Sequence, residues 1–210
     1  MSLRFLVAAL IGSLLAGCAT DDTRSRAIRG GEGIPEYQAL VKQSVQSMEK
    51  ALSALDRVTT ATVPLSPRTV ARFSSRIVSL QAESLKVRAR SQALQTRGDA
   101  FFQHWEESIV SVKDSRIREL AVRHRPQLQE HFTHIKAASQ TTEQSFRNFL
   151  AGLRQLQVQL ESNHARALPP RLVEETRDHG KEVIKSLQAV SRELNDMQAL
   201  VSPSHYPTPP

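Results

Sequence analysis

The sequence predicts an all-α fold, an elongated antiparallel bundle of four coiled-coil helices with a four-helix base and a two-helix tip. Apolar residues recur at alternating steps of three and four along most of the chain, which is the spacing of a coiled-coil seam. No stretch alternates apolar and polar residues at period two, as a half-buried strand would. The chain is poor in aromatic residues and rich in Ala, Leu, Gln, Glu and Arg, a composition that favours long helices.

The first two helices are defined by their seams and by the prolines around them. Helix 1 is predicted over residues 35–62, because Pro35 suits a first helical turn and the seam follows directly. A proline-containing stretch ends it. Helix 2 is predicted over residues 67–112, with Ser66 as its N-cap and a proline in its first position. Three small residues at seven-residue intervals would let a neighbouring helix approach closely: Ser84, Ser91 and Gly98.

The last two helices follow the same pattern. Helix 3 is predicted over residues 116–167. Pro126 lies inside it and should kink it near Val122, because proline removes a backbone hydrogen bond and crowds the preceding turn. Leu168-Pro169-Pro170 ends this helix, and helix 4 is predicted over residues 171–201.

The relative lengths of the helices predict the overall shape. Helices 2 and 3 are long and helices 1 and 4 are clearly shorter. In an antiparallel arrangement, helix 1 covers only the first part of helix 2, and helix 4 covers only the last part of helix 3. Residues from about 94 to 134 therefore remain as a two-helix tip. Gly98 and Pro126 lie at nearly the same level, and we expect the tip to bend there.

The N-terminal residues have the layout of a secretory signal. Arg4 precedes an apolar stretch, Phe5 to Leu15, which is too short to span a bilayer. The stretch leads into Leu-Ala-Gly-Cys, which contains the only cysteine of the chain. This ending resembles the lipobox of bacterial lipoproteins, which implies cleavage between Gly17 and Cys18 and lipid on the Cys18 thiol. The alternative is an ordinary signal peptide with an incidental or free thiol.

The resemblance to a lipoprotein implies a domain organisation. Residues 1–17 are a cleaved signal, 18–33 the lipidated Cys with a flexible tether, 34–202 the helical bundle and 203–210 a disordered Pro-rich tail. Ala19 favours the outer membrane, because lipoproteins retained at the inner membrane tend to carry Asp at that position. We therefore expect a cell-envelope protein with an outer-membrane lipid anchor and its body in the periplasm.

Charge and motifs exclude several classes of function. The net charge is +7, but an exported chain has no access to nucleic acid. The sequence contains no Ser/His/Asp order and no glycine-rich phosphate loop. His131 and His134 lie one helical turn apart, yet such a pair is a weak metal signal, and surface histidines explain it better. The sequence therefore predicts no enzyme activity, no catalytic residue, no cofactor and no metal.

The strongest local signal lies on the predicted tip, where residues 100–107 join the only Trp to two Phe residues. A two-helix tip cannot bury such side chains fully, and exposed apolar patches often mark contact sites. The alternative is that Phe101 and Trp105 are seam residues that pack on Leu120 and Leu128. The candidate partner-contact residues are Phe101, Phe102, His104 and Trp105.

Helix 2 also carries a basic face. Between Arg68 and Arg97 there are seven basic residues and one acid. In the envelope this face could bind lipid phosphates, lipopolysaccharide or wall polymers. The alternative is a solvated face paired with acids on helices 1 and 4. The candidate anion-binding residues are Arg72, Arg76 and Arg90.

Three pieces of the second half carry a resemblance to a known family. They are Ala100-Phe101-Phe102 with Trp105-Glu106, the helix from Asp114 to Leu160, and Asn163-His164-Ala165-Arg166-Ala167-Leu168. From Ala100 onward the chain resembles an uncharacterised bacterial family, the domain of unknown function twenty-nine fifty-nine. The resemblance covers about half the chain. It implies an envelope-located, helical, coiled-coil protein and brings no activity, cofactor or functional residue.

These observations lead to one expected function and one alternative. We expect a non-enzymatic outer-membrane lipoprotein that scaffolds or docks an envelope protein through its helical tip. Self-association of two copies would cover the same tip residues, since heptads alone do not define the number of partners. The alternative is a binder of anionic envelope polymers or lipids through the basic face of helix 2.

Overall fold

The fold is a bundle of four long α-helices joined by short connections. The computed structural model describes residues 33–61, 64–162 and 167–201. Its helices are α1, Ile34–Thr60; α2, Pro67–Val110; α3, Ser115–Ser162; and α4, Pro170–Val201. The described ranges contain no strand, so the predicted all-α class is confirmed.

The predicted helix boundaries agree with the observed ones to within about two residues, apart from the end of α3. That helix was expected to reach residue 167, but it ends at Ser162 and Ala167 is not helical. The prolines at 169 and 170 account only for the residues directly before them. Because a residue that precedes proline is driven out of the α region, Leu168 and Pro169 are not helical.

Side chains just outside the helices define where α2 and α3 begin. The backbone N–H of Thr69 donates to Ser66 Oγ at 3.2 Å, so Ser66 is the N-cap of α2 as the sequence predicted. At the start of α3, the N–H of Arg116 donates to Asp114 Oδ1 at 2.8 Å. These caps satisfy amide groups that have no partner inside the helix.

Removal of the α2 cap has a predictable cost. Ser66→Ala leaves the Thr69 amide without its side-chain acceptor and should lower the free energy of unfolding by about 1 kcal/mol. Urea denaturation followed by circular dichroism measures this change. Ser75→Ala on the exposed face of α2 is the control, and it should not destabilise, because alanine is the better helix former. Equal stability of the two variants would contradict a capping role.

The four helices form an antiparallel ring in which each packs on two neighbours. α1 packs on α2 and α4, and α3 packs on the same two helices, with the most extensive contact between α3 and α4. Between α1 and α4, Gln38 donates to Asn195 at 2.9 Å and Arg177 pairs with Asp56 at 2.8 Å. At both levels a residue near the start of one helix pairs with a residue near the end of the other, so α1 and α4 run antiparallel.

The core is the predicted seam. Most of the seam residues of α1, α3 and α4 are buried, together with the first half of the α2 seam. The largest fully buried side chains come from all four helices. They are Tyr37, Val41, Met48, Leu55, Leu80, Ile135, Phe149, Leu153, Leu156, Leu160, Leu187 and Leu194.

Small residues bring neighbouring helices into close contact at two levels. A Cβ on Gly98 would lie 2.2 Å from the Phe132 ring, and a Cβ on Gly152 would lie 2.2 Å from Thr176 Oγ1. The expected close approach at Gly98 is therefore confirmed, with α3 as the neighbour. The contact at Gly152 joins α3 to α4, and both contacts hold the register of the helices.

Beyond the start of α1, the bundle narrows to a two-helix tip. Gly33, which precedes α1 with a φ of 92°, lies beside Arg97 of α2. Past that level α2 and α3 continue together, with Arg125 paired to Glu106 at 3.1 Å. The four-helix base and two-helix tip are thus as predicted. The α3 helix runs without interruption through Pro126, and the expected bend of the tip stays a prediction.

Candidate functional site at the tip

The side chains of the tip form an aromatic cluster on α2. Residues four apart lie on one helical face, and the ring centroids of Phe101 and Trp105 are 5.0 Å apart in an edge-to-face arrangement. Phe102 meets Phe101 edge-on at 5.3 Å. It also meets Phe132 of α3 at 5.4 Å. Such contacts stabilise by roughly 0.5–1.5 kcal/mol each beyond the burial of area.

The cluster is only partly covered, and the ring contact that it makes with another helix is the one from Phe102 to Phe132 of α3. Phe101, Phe102 and Trp105 are all half-buried. His104 points to solvent, with its Nδ1 3.3 Å from Glu107 of the same helix. Of the four predicted contact residues, His104 is therefore the exposed one. The rings pack on one another, while a partner contact and the packing of Phe101 and Trp105 on Leu120 and Leu128 both stay predictions.

Two exposed valines lie on the same two-helix segment, and sequence reasoning missed them. Val110, at the end of α2, is 80% exposed, and Val122, near the start of α3, is 56% exposed. Both are large apolar residues that fall outside the three-four seam. An apolar residue off the seam of an otherwise regular coiled-coil helix was the signal that could have identified them.

The connection between α2 and α3 is held by its own contacts. Val112 is buried, and its N–H donates to the carbonyl of Ile109 at 3.2 Å. Arg118 Nε donates to the Val112 carbonyl at 3.1 Å. These bonds satisfy backbone groups that the helix ends would otherwise leave without partners. The two helices of the tip are therefore joined by a hydrogen-bonded turn.

Two buried polar groups of the tip have no hydrogen-bond partner. The indole Nε1–H of Trp105 and the Nε–H of Arg125 are shielded from solvent and find no acceptor in the described part of the chain. Each such group costs about 1–3 kcal/mol of stability. Unpaired buried groups are not confined to the tip, because Arg76 Nε, Glu83 Oε2 and Ser139 Oγ in the base also lack a partner among the described residues.

The basic face of α2 is divided between structural and exposed residues. Arg76 Nη2 donates to the Ser47 carbonyl of α1 at 3.2 Å, so this side chain lies at the α1–α2 contact. Arg72 is exposed and Arg90 is half-exposed, and neither has a hydrogen-bond or ion-pair partner within the described ranges. Arg88 pairs with Glu143 of α3 at 3.5 Å, rather than with acids on α1 or α4. Anion binding by this face stays a prediction.

A second apolar surface lies on the outer side of the base. Ser74 donates to Glu161, and Arg154 donates to Gln81, which ties α2 to α3 at two levels. Between these levels Val78 and Val158 are both exposed, one on each helix, and Leu85 follows one heptad later. This surface was also missed, again because its residues lie off the seam.

The remaining sequence predictions concern the N-terminus and the histidines. Gly17 and Cys18 lie outside the described residues, as does the tail from 203 to 210. His131 and His134 both face Glu193 of α4. The sequence pattern could not bring these residues together, because 62 positions separate His131 from Glu193.

Comparisons with known proteins add no relative to this picture. Searches with protein-family models, of curated proteins and of solved structures each gave no match. The resemblance to the uncharacterised envelope family therefore stays a prediction. Among the described residues, no helix combines the length and the apolarity that crossing a bilayer requires.

Proposed function

We propose that this protein is a non-enzymatic lipoprotein of the bacterial outer membrane whose tip docks a second envelope protein. The anchor would be lipid on Cys18, followed by a tether that ends where α1 begins. The observation that carries the docking proposal is the apolar surface of the tip. Val110 and Val122 are exposed, and the half-buried aromatic cluster lies on the same two-helix segment.

The charges around this surface favour a protein partner over an anionic polymer. Residues 98–130 contain six acidic and five basic side chains, so the tip is almost neutral. Protein interfaces combine an apolar, aromatic centre with a polar rim, and Arg is enriched in them. A polyanion would instead be repelled by the acids, among them Glu106 and Glu107 beside the cluster.

The unpaired Trp105 indole gives further support. A buried donor without an acceptor is a cost in the free protein. A partner that shifts the ring and offers a carbonyl or carboxylate oxygen would recover that cost on binding. Buried Trp residues are also among the side chains that contribute most to binding energy at protein interfaces.

In-cell photo-crosslinking tests the proposal. A photo-crosslinking residue replaces His104 in the intact protein, because this exposed side chain lies at the cluster without being part of its packing. The same residue replaces Gln188, which is exposed on α4 in the base. After irradiation of living cells, we expect a discrete heavier band from position 104 and none from position 188, with the partner identified by mass spectrometry.

Two matched variants separate docking from folding. Val110→Glu places a charge in the proposed contact and should remove most of the crosslink from position 104. Val158→Glu introduces the same change at a 64% exposed position of the base and should leave the crosslink intact. Circular dichroism should report equal helix content for both variants. A band at twice the monomer mass, or no band at all, would overturn docking to a second protein.

A further inference from the structure

A cluster of possible metal ligands lies between α3 and α4. His131 Nδ1 is 2.7 Å from Glu193 Oε2, and His134 Nδ1 is 3.4 Å from the other oxygen of the same carboxylate. Asp196 lies one turn further along α4. His131, Glu193 and Asp196 each offer one ligand atom, and these three atoms all lie within 4.8 Å of one another.

The helical spacing explains why these groups converge. His131 and His134 are three residues apart on α3, and Glu193 and Asp196 are three residues apart on α4, so each pair projects from one face of its helix. The two helices run antiparallel and make the most extensive contact of the bundle. Two donor pairs therefore face one another across a rigid helix–helix contact, which is how metal sites are built in helical bundles.

We propose that His131, Glu193 and Asp196 bind one divalent transition-metal ion, with His134 as a fourth ligand from the same face of α3. Imidazole nitrogen selects ions such as Zn²⁺, Co²⁺ and Ni²⁺, whereas Ca²⁺ and Mg²⁺ prefer oxygen alone. The donor set of nitrogen and carboxylate oxygen therefore favours Zn²⁺. The side chains of His131 and Glu193 are about one quarter exposed, so an ion can enter from solvent.

The observed separations need only a small adjustment to accommodate a metal ion. His131 Nδ1 and Glu193 Oε2 are within hydrogen-bond distance of one another. Zn²⁺ lies roughly 2.0–2.2 Å from nitrogen and oxygen ligands, so its insertion would open the 2.7 Å contact by less than about 1 Å. Binding would also neutralise the two carboxylates, which offsets their mutual repulsion.

The position of the site gives metal binding a structural consequence. Glu193 and Asp196 belong to the last two to three turns of α4, which ends at Val201. His131 immediately precedes Phe132, the α3 ring that covers Gly98 and meets Phe102. A bound ion would therefore clamp the end of α4 to α3 at the level where the tip begins.

Calorimetric titration of the full chain with ZnCl₂ tests the site. The protein is purified in detergent and freed of metal with a chelator. We expect one equivalent of Zn²⁺ to bind and the melting temperature to rise with Zn²⁺ concentration. Co²⁺ in place of Zn²⁺ should give visible absorption bands that report nitrogen and oxygen ligands. CaCl₂ and MgCl₂ should give no comparable binding.

Variants assign the ligands and control for folding. A double variant, His131→Ala with Glu193→Gln, should weaken Zn²⁺ binding at least about 100-fold, since loss of even an outer-shell partner costs 10- to 100-fold. Asp196→Asn, which keeps the shape of the side chain, should weaken binding without a change in helix content. The matched control is His104→Ala, because His104 also lies beside a glutamate but belongs to no group of three possible metal ligands among the described residues.

Four results would overturn the proposal. They are an absence of stoichiometric Zn²⁺ binding, equal binding of Ca²⁺, retention of full Zn²⁺ affinity in the His131→Ala, Glu193→Gln variant, and equal loss of affinity in His104→Ala. The last result would assign the binding to scattered surface histidines. None of these outcomes bears on the crosslink from position 104, so the metal site and the docking proposal can fail independently.

Discussion

Phe149→Ala is expected to lower the free energy of unfolding by about 3–5 kcal/mol, the cost of deleting a fully buried aromatic side chain. Phe149 is completely buried on α3. Its ring lies against Gly180 of α4, where a Cβ would come within 2.9 Å of Phe149 and 2.7 Å of Leu52 from α1. The ring therefore fills the space where three helices meet, and its loss leaves a cavity that no single helix can close.

Denaturant titration followed by circular dichroism measures this loss. Val158→Ala is the control on the same helix, because Val158 is exposed and its truncation should change stability by no more than about 0.5 kcal/mol. A loss of less than about 1 kcal/mol for Phe149→Ala would mean that the three helices do not meet around this ring.

Gly152→Ala is expected to destabilise the protein by roughly 1–3 kcal/mol, although alanine is the better helix former. The added Cβ would lie 2.2 Å from Thr176 Oγ1 and 3.0 Å from Thr176 Cβ. Thr176 is buried, and its hydroxyl donates to the Leu172 carbonyl at 2.6 Å. Because a β-branched side chain held in this way has little rotamer freedom, α3 and α4 must move apart.

A double-mutant cycle separates this clash from other effects. Thr176→Ala removes the hydroxyl and the methyl group that the new Cβ meets, so Gly152→Ala should cost much less in that background. Ala151→Gly at the exposed neighbouring position measures the difference in helix propensity between alanine and glycine. It should lower the free energy of unfolding by about 1 kcal/mol. Additive effects of the two substitutions would contradict a direct contact between position 152 and Thr176.

The helices and their seams were predictable because they depend on local information. Leu153, Leu156 and Leu160 follow the three-four spacing and are buried as expected. Ser66 caps α2, and prolines mark the starts of two helices. The end of α3 was placed at residue 167, whereas the observed helix ends at Ser162, because the Pro169-Pro170 pair defines only the latest point at which a helix can end.

The candidate sites were only partly predictable. The aromatic cluster was found from its composition, whereas Val110 and Val122 were missed because they lie outside the seam. Arg76 was assigned to a surface face, but it donates to a carbonyl of α1. In each case the residue type indicated a possible contact. The neighbouring helix decided whether the side chain was exposed to solvent or bonded within the bundle.

The sequence by itself determined the number of helices, their antiparallel order and the two-helix tip, because periodicity and helix length are properties of the chain alone. Only the tertiary structure decided which side chains meet across the helices. A seam defines the face that each helix buries but not the register between helices, which depends on contacts such as Gly98 with Phe132 and Gly152 with Thr176. That register brings His131 to Glu193, and no pattern within either helix could predict it.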